Sequence, residues 1–313
     1  MRILVLGSTG QVGGEVARQA EVRGDEPIWG FHSRSPPGGA AASVRIDKRE
    51  PEAARDEILQ LRPDIVVDCA ALHNVDYCET HEEEARLVNA AGTRAVASAA
   101  RDVGARLLFV STDFVFGNTG STPHRESDPP DPLSAYARSK LAGESAALEV
   151  EPSSLIVRPS VIYSWTPPSR RGDSSSGKGM NFGTWLVEEV RNGRSVRIVS
   201  DQTASPTLAS DLAGAILALL GEGRRGIFHA AGRSAVTRFD FSLRLVTRLG
   251  LDPNLVRPVR TQELGQKALR PRDSSLSSDR LFQETGYRML DLEEQLDRFA
   301  ADFRVPPRAG SAV

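Results

Sequence analysis

Short apolar runs alternate with longer stretches of helical spacing along the first half of the chain. Residues 2–6, 27–31, 64–68, 106–111 and 154–159 are largely unbroken runs of apolar or β-branched side chains and read as strands. Continuous rather than alternating apolarity predicts a sheet covered on both faces. Between these runs, residues 13–23, 51–61, 82–103 and 134–149 carry Ala, Leu and Val at helical spacing. Such alternation predicts an α/β fold, a doubly wound parallel sheet with right-handed crossovers.

After Tyr163 the pattern changes. Residues 164–179 are polar, rich in Pro, Ser and Gly, and include Arg170, Arg171 and Lys178. Two readings stand for this stretch: a disordered surface insertion, or a lid over an anionic ligand. Helices are then expected at 182–192, 207–220 and 238–249, strands at 196–200 and 226–230, and a frayed tail at 306–313. No linker separates the halves. Residues 1–160 and 161–313 are therefore expected as two interleaved units with a cleft between them.

Composition narrows the partners. The 313 residues are 40% hydrophobic and 26% charged, enough to bury a core without disulfides or a structural metal. Lys and Arg number 39 against 41 Asp and Glu, a net charge of −2, which removes the electrostatic argument for nucleic-acid or anionic-membrane binding. Only Cys69 and Cys78 are present, which fits a reducing compartment, and no Cys/His cluster suggests a metal site. The apolar run before Gly7 is too short for a signal peptide, and no stretch reaches the ~20 apolar residues that span a bilayer. The expected location is cytoplasmic.

The first strand runs into Gly7-Ser8-Thr9-Gly10-Gln11-Val12-Gly13 and then a helix. Glycines at this junction permit a tight turn and let backbone N–H groups approach a pyrophosphate at the helix N-terminus, so the loop predicts a dinucleotide site. The spacing GxxGxxG points to the short-chain dehydrogenase/reductase variant. No acid occurs between Phe31 and Arg45, and Arg34 lies where the second strand ends. An acid there suits the ribose 2′-hydroxyl of NAD, whereas an Arg suits a 2′-phosphate, so Arg34 favours NADPH over NADH. The alternative is an Arg exposed on a loop. Asp47 either accepts from the adenine amino group or caps the helix that begins near Pro51.

Tyr136 and Lys140 are four apart in a predicted helix and so share a face. A free phenol, with a pKa of about 10, is a poor acid–base near neutrality, and a lysine cation beside it is expected to lower that value. Thr112, at the carboxyl end of a central strand, can donate to a substrate carbonyl oxygen while Tyr136 delivers a proton. Asn89 can hold a water that relays protons through Lys140, or can serve only as a backbone partner.

Taken together, Gly7/Gly10/Gly13, Asn89, Thr112 and Tyr136/Lys140 resemble an extended short-chain dehydrogenase/reductase. Further stretches are similar to the dTDP-4-dehydrorhamnose reductase family across nearly the whole chain. They are Asp68-Cys-Ala-Ala with Val75-Asp76, Ser111-Thr-Asp-Phe-Val-Phe116, Glu126-Ser-Asp, Gly143-Glu144, Arg158-Pro-Ser-Val-Ile-Tyr163, Asn181-Phe182, and the segments 201–207 and 270–276. The resemblance implies a Rossmann-type cofactor domain joined to a smaller α/β substrate-binding domain. It implies reduction of the 4-keto group of a nucleotide-linked 6-deoxysugar by NADPH or NADH.

Carried onto this chain, Thr112 and Tyr136 contact the C4 oxygen and Lys140 holds the nicotinamide ribose. Ala70 and Ala71 join the glycine loop around the cofactor. Asp113 and Phe114 line the sugar, while Asn181, Phe182 and Arg270 line the nucleotide end, with Arg270 and Arg272 suited to a diphosphate. The family often carries Tyr where this chain has Phe114 and Trp where it has Val161, which leaves the sugar open. Some relatives dimerise around a magnesium ion; a homodimer is thereby allowed, but no metal ligands can be placed. Two rivals remain: an epimerase or dehydratase that recycles bound NAD, and a non-catalytic regulatory subunit resembling the beta subunit of methionine adenosyltransferase.

Overall fold

The computed structural model describes residues 1–36, 42–166, 180–221 and 223–304. Its first half runs β1 (Arg2–Leu6), α1 (Gln11–Val22), β2 (Glu26–Phe31), β3 (Ser43–Arg45), α2 (Pro51–Leu61), β4 (Ile65–Asp68), α3 (Val75–Thr80), α4 (Glu82–Arg86), α5 (Gly92–Val103), β5 (Arg106–Val110), α6 (Ala135–Val150) and β6 (Leu155–Arg158). The second adds β7 (Ile162–Tyr163), α7 (Phe182–Arg191), β8 (Val196–Val199), β9 (Thr203–Ala204), β10 (Thr207–Leu208) and α8 (Ala209–Leu219). It ends with β11 (Gly226–His229), β12 (Val236–Thr237), α9 (Arg238–Arg248), β13 (Val256–Val259), α10 (Asp279–Thr285) and α11 (Leu292–Arg304). Most of the 164–179 stretch and the whole 306–313 tail lie outside the described residues.

Seven parallel strands pair in the order β11–β6–β5–β4–β1–β2–β3. Chain order reverses between β1 and β4, and ligands of open α/β sheets bind beyond the strand ends at such a point. The unbroken apolarity of the strands has a direct cause. Ile3 and Val5 pack on one face with Val16 and Leu212, while Leu4 and Leu6 pack on the other with Ile58 and Val96. Each such side chain, fully buried, stabilises the fold by about 1.5–3 kcal/mol. A third core, including Leu186, Phe241 and Phe299, joins α7, α9 and α11 beside the short β8–β13 pair.

The structure departs from the spacing pattern in three places. The 82–103 helix is interrupted by a π-helical turn at Leu87–Ala91, where the Thr93 hydroxyl donates to the Asn89 carbonyl at 2.9 Å. Such side-chain bonds to a carbonyl one turn back disturb the helical ladder. Residues 207 and 208 form a strand and the helix begins at Ala209, because β10 pairs with β7. Helices α3, α10 and α11 add to the expected ones; α3 is short and is started by Asn74, whose side chain accepts from Tyr77 N. No helix among the described residues is long and apolar enough to cross a membrane.

Two buried polar features sit at the β6–β11 side of the sheet. Arg158, at the end of β6, donates to both carboxylate oxygens of Glu144 at 2.9 and 2.6 Å, and the Ser111 hydroxyl donates to the same carboxylate at 2.5 Å. Both ion-pair partners are almost wholly buried. Next to them His229 packs edge-on to Phe116, and burial together with the Arg158 charge holds its imidazole down at about 3. An unfolded histidine takes its proton near pH 6.5. Between there and about pH 3 the unfolded state binds more protons than the native state, so stability falls as pH falls through this window. His229→Gln should flatten that fall between pH 7 and 5, above the carboxylate range, in urea titrations. Parallel decline of the two proteins would exclude His229 as its cause.

Candidate active site

The turn after β1 is shaped by contacts that exclude any side chain. Gly7 adopts φ +72°. A Cβ there would stand 3.1 Å from the Cys69 and Ala70 backbone, and one at Gly13 only 2.5 Å from the Gly7 carbonyl oxygen. Gly10 N donates to Gly7 O at 2.9 Å and closes the turn. Ser8 is buried and donates through both its backbone N–H and its hydroxyl to Gly30 O. Val12 packs into the core, while Gln11 exchanges hydrogen bonds with Ile162 O and Ser164, tying the loop to the second half. This is a cradle that glycine alone permits, and its geometry fits the pyrophosphate of a dinucleotide.

Around the loop, Arg34 donates to Thr9 O at 2.7 Å, which holds its guanidinium at the mouth of the turn. Asp47 is not the cap of α2. Its carboxylate takes the Arg49 backbone N–H and guanidinium and pairs with His32, while Glu50 occupies the cap position. The adjacent Lys48 turns inward. Its ammonium donates to Asp68 at 2.6 Å, Thr93 at 2.9 Å and Ala70 O at 3.1 Å, fixing the segment that carries Ala70 and Ala71.

Thr112 follows β5 and caps a 3-10 turn by accepting from Phe114 N; its own hydroxyl donates to Asp113. Ser134 starts α6 by accepting from Ala137 N, and places Tyr136 and Lys140 on one helical face. Lys140 is buried, donates to Val110 O at 2.7 Å, and lies 3.9 Å from the centre of the Phe109 ring. Burial, aided by repulsion from Lys48, holds its ammonium down at about 7. The expected lowering of Tyr136 does not occur. Burial pushes its phenol well above the ordinary range, opposed by the neighbouring Thr112 hydroxyl, and Lys140 is turned to Val110 O and Phe109. Phe114 meets the Tyr136 ring edge-on at 6.3 Å.

Asn89 is fully buried and doubly bonded to the Leu72 backbone, and it donates to Ser139 Oγ at 2.9 Å. Ser139 Oγ in turn donates to Tyr136 O. Its side chain thus braces the helix of Tyr136, and Lys140 is not among its hydrogen-bond partners. Asp113 is buried too, accepting from Ser160 Oγ at 2.8 Å and Ser274 Oγ at 2.6 Å, and burial raises its carboxyl. Those serines come from the 158–163 and 270–276 stretches, which here converge on one carboxylate. Val161, next to Ser160, is held at φ +39°, a left-handed conformation that costs a β-branched residue about 1–3 kcal/mol.

The expected nucleotide end is more occupied than the sequence suggests. Asn181 caps α7, accepting from Thr184 N and donating to Ser164, Thr166 and Thr184 hydroxyls. Arg270 donates to Asp76 at 2.9 Å and to Ala268 O at 2.8 Å, and Arg272 is exposed. Arg238, which no spacing in the sequence singles out, stands with its guanidinium 5.2 Å from the centre of the Phe182 ring. As the first residue of a helix it carries no local signal. Among the described residues no three His, Cys, Asp or Glu side chains cluster to hold a metal ion.

A parallel sheet with a glycine cradle at its switch point, and a Thr, Tyr and Lys gathered beyond the next strand, defines an NAD(P)-dependent oxidoreductase. The family model for the RmlD substrate binding domain matches residues 1–305, and the chain belongs to that family, within the extended short-chain dehydrogenases/reductases. It is 36% identical over 282 residues to a dTDP-4-dehydrorhamnose reductase of Mycobacterium tuberculosis, covering 88% of this chain and 85% of that one. A crystal structure of a dTDP-4-dehydrorhamnose reductase from Clostridium acetobutylicum superposes with a TM-score of 0.84 at 28% identity, covering 97% and 100% of the two chains. Another, from Bacillus anthracis in complex with NADP, gives 0.83 at 26% identity over 96% and 99%.

Proposed function

We propose that this protein reduces the 4-keto group of a nucleotide-linked 6-deoxysugar, with NADPH as the preferred reductant. The observation that carries the reading is the continuity of the site: the glycine cradle touches the Cys69–Ala70 backbone, and Thr112, Tyr136 and Lys140 gather beyond β5. Gly7, Gly10 and Gly13 would hold the pyrophosphate, Arg34 the 2′-phosphate and Lys140 the nicotinamide ribose. Support for NADPH comes from the Arg34 guanidinium at the loop mouth and from the NADP complex of the Bacillus anthracis relative.

A reduced nicotinamide held there would supply the hydride that the carbonyl carbon needs. The chain's part is the proton. Thr112 and Tyr136 hold the carbonyl oxygen, and the phenol, kept neutral by burial, carries a proton ready for it. In reduction the residue must arrive protonated, as the buried phenol is, and the phenolate it leaves must then be stabilised. Lys140, near 7, is partly charged at neutral pH and can assist as that proton leaves.

The test is NADPH oxidation followed optically against dTDP- and UDP-linked 4-keto-6-deoxysugars. Turnover of none of them, together with NAD retained on the purified protein, would favour the epimerase or dehydratase reading. The cradle is tested separately. Gly13→Ala drives a Cβ toward a backbone oxygen that cannot retreat, a strain of about 1–3 kcal/mol. The expected result is weaker NADPH binding in fluorescence titration; unchanged affinity would show that the cradle does not hold the dinucleotide.

A further inference from the structure

Resting on that reading, we propose that Arg238 binds the diphosphate of the nucleotide-linked substrate. The Arg238 side chain is half-buried, and its guanidinium has neither a hydrogen bond nor an ion pair among the described residues. It lies instead over the ring of Phe182, whose centre is 5.2 Å away. A charge partly withdrawn from water without a partner is costly, so the position favours an anion that the described residues do not provide. Arg270 leaves the role open because its own guanidinium is committed to Asp76 and Ala268 O.

The position suits a substrate that reaches the turn carrying Thr112. Arg238 lies within the electrostatic reach of Asp113, the neighbour of Thr112, and also of Arg270. Asp113 does not neutralise it by direct pairing, since that carboxylate accepts from Ser160, Ser274 and Thr112. Two nearby cations, one engaged and one available, make an anion-attracting patch within reach of Asp113. The backbone holds Arg238 in place, through Arg238 N donating to Gln202 O at 3.0 Å and Thr237 capping α9. Contact with the Phe182 ring restrains the guanidinium, whose planar fork can meet phosphate oxygens bidentately.

The experiment is calorimetric titration of the full chain with thymidine diphosphate and with uridine diphosphate, neither of which carries a sugar. The parental protein should bind at least one. Arg238→Gln should bind it about 10–100-fold more weakly, the range for losing a charged hydrogen-bonding partner. Arg238→Lys, which keeps the charge but not the fork, should fall between. NADPH affinity and the thermal midpoint should stay at parental values, and ketosugar turnover should show a raised KM with little change in kcat. Parental diphosphate affinity in a folded Arg238→Gln protein would overturn this assignment and leave the functional reading standing. So would equal weakening of NADPH, which points to a structural role. If Arg238→Gln does not fold, parental affinity in Arg238→Ala or loss of the midpoint in Arg238→Lys overturns it likewise. A parental protein that binds neither diphosphate and turns over no ketosugar would overturn the functional reading itself.

Discussion

Replacing Tyr136 by Phe is expected to lower kcat by about 10²–10⁴-fold, the usual share of a positioned general acid. The ring should keep its edge-on packing with Phe114, so the loss isolates the hydroxyl. NADPH affinity should be unaffected, because the glycine cradle, Arg34 and Lys140 are unchanged. The variant is also diagnostic of direction. Since burial keeps the phenol protonated, parental kcat for reduction should not rise with pH across the neutral range on account of Tyr136. A Tyr136→Phe protein that reduces ketosugar at the parental rate would sink the assignment.

The largest effect on stability is expected at Glu144. Neutralising it, as Glu144→Gln, leaves the buried Arg158 charge uncompensated and costs about 3–5 kcal/mol. At about 2 °C per kcal/mol for a chain of this size, the thermal midpoint should drop by about 6–10 °C. Ser111 loses its charged acceptor in the same step. The paired replacement Glu144→Leu with Arg158→Met should recover much of the loss, because an apolar pair of similar volume can replace a buried ion pair. Equal midpoints for the single and the paired variants would show that the uncompensated charge is not the cause.

Much of the catalytic half is legible in the amino-acid sequence. Strand β1, helix α2 and the Tyr136–Lys140 helix follow from local spacing, and the glycine turn follows from a steric demand that few residues meet. Charge pairing is not legible there. Nothing local marks Lys48, yet it is buried against Asp68, twenty positions on. Arg270 looks available for phosphate, yet its partner Asp76 lies 194 positions away. The 158–163 and 270–276 stretches are recognisable as similar to a family, but their convergence on Asp113 depends on β6 and the C-terminal segments meeting beside one turn.

The sequence by itself determined which segments become strands and helices, where the chain turns tightly, and that a phenol and an amine share a helix face. These are consequences of periodicity and of backbone sterics, both of which act over a few residues. Only the tertiary structure decided which charges are spent and what each titrating group does. It placed Lys140 near 7, pushed Tyr136 upward and left Arg238 without an ion-pair partner among the described residues. Burial and Coulomb forces come from groups remote in the chain, and folding alone brings them together.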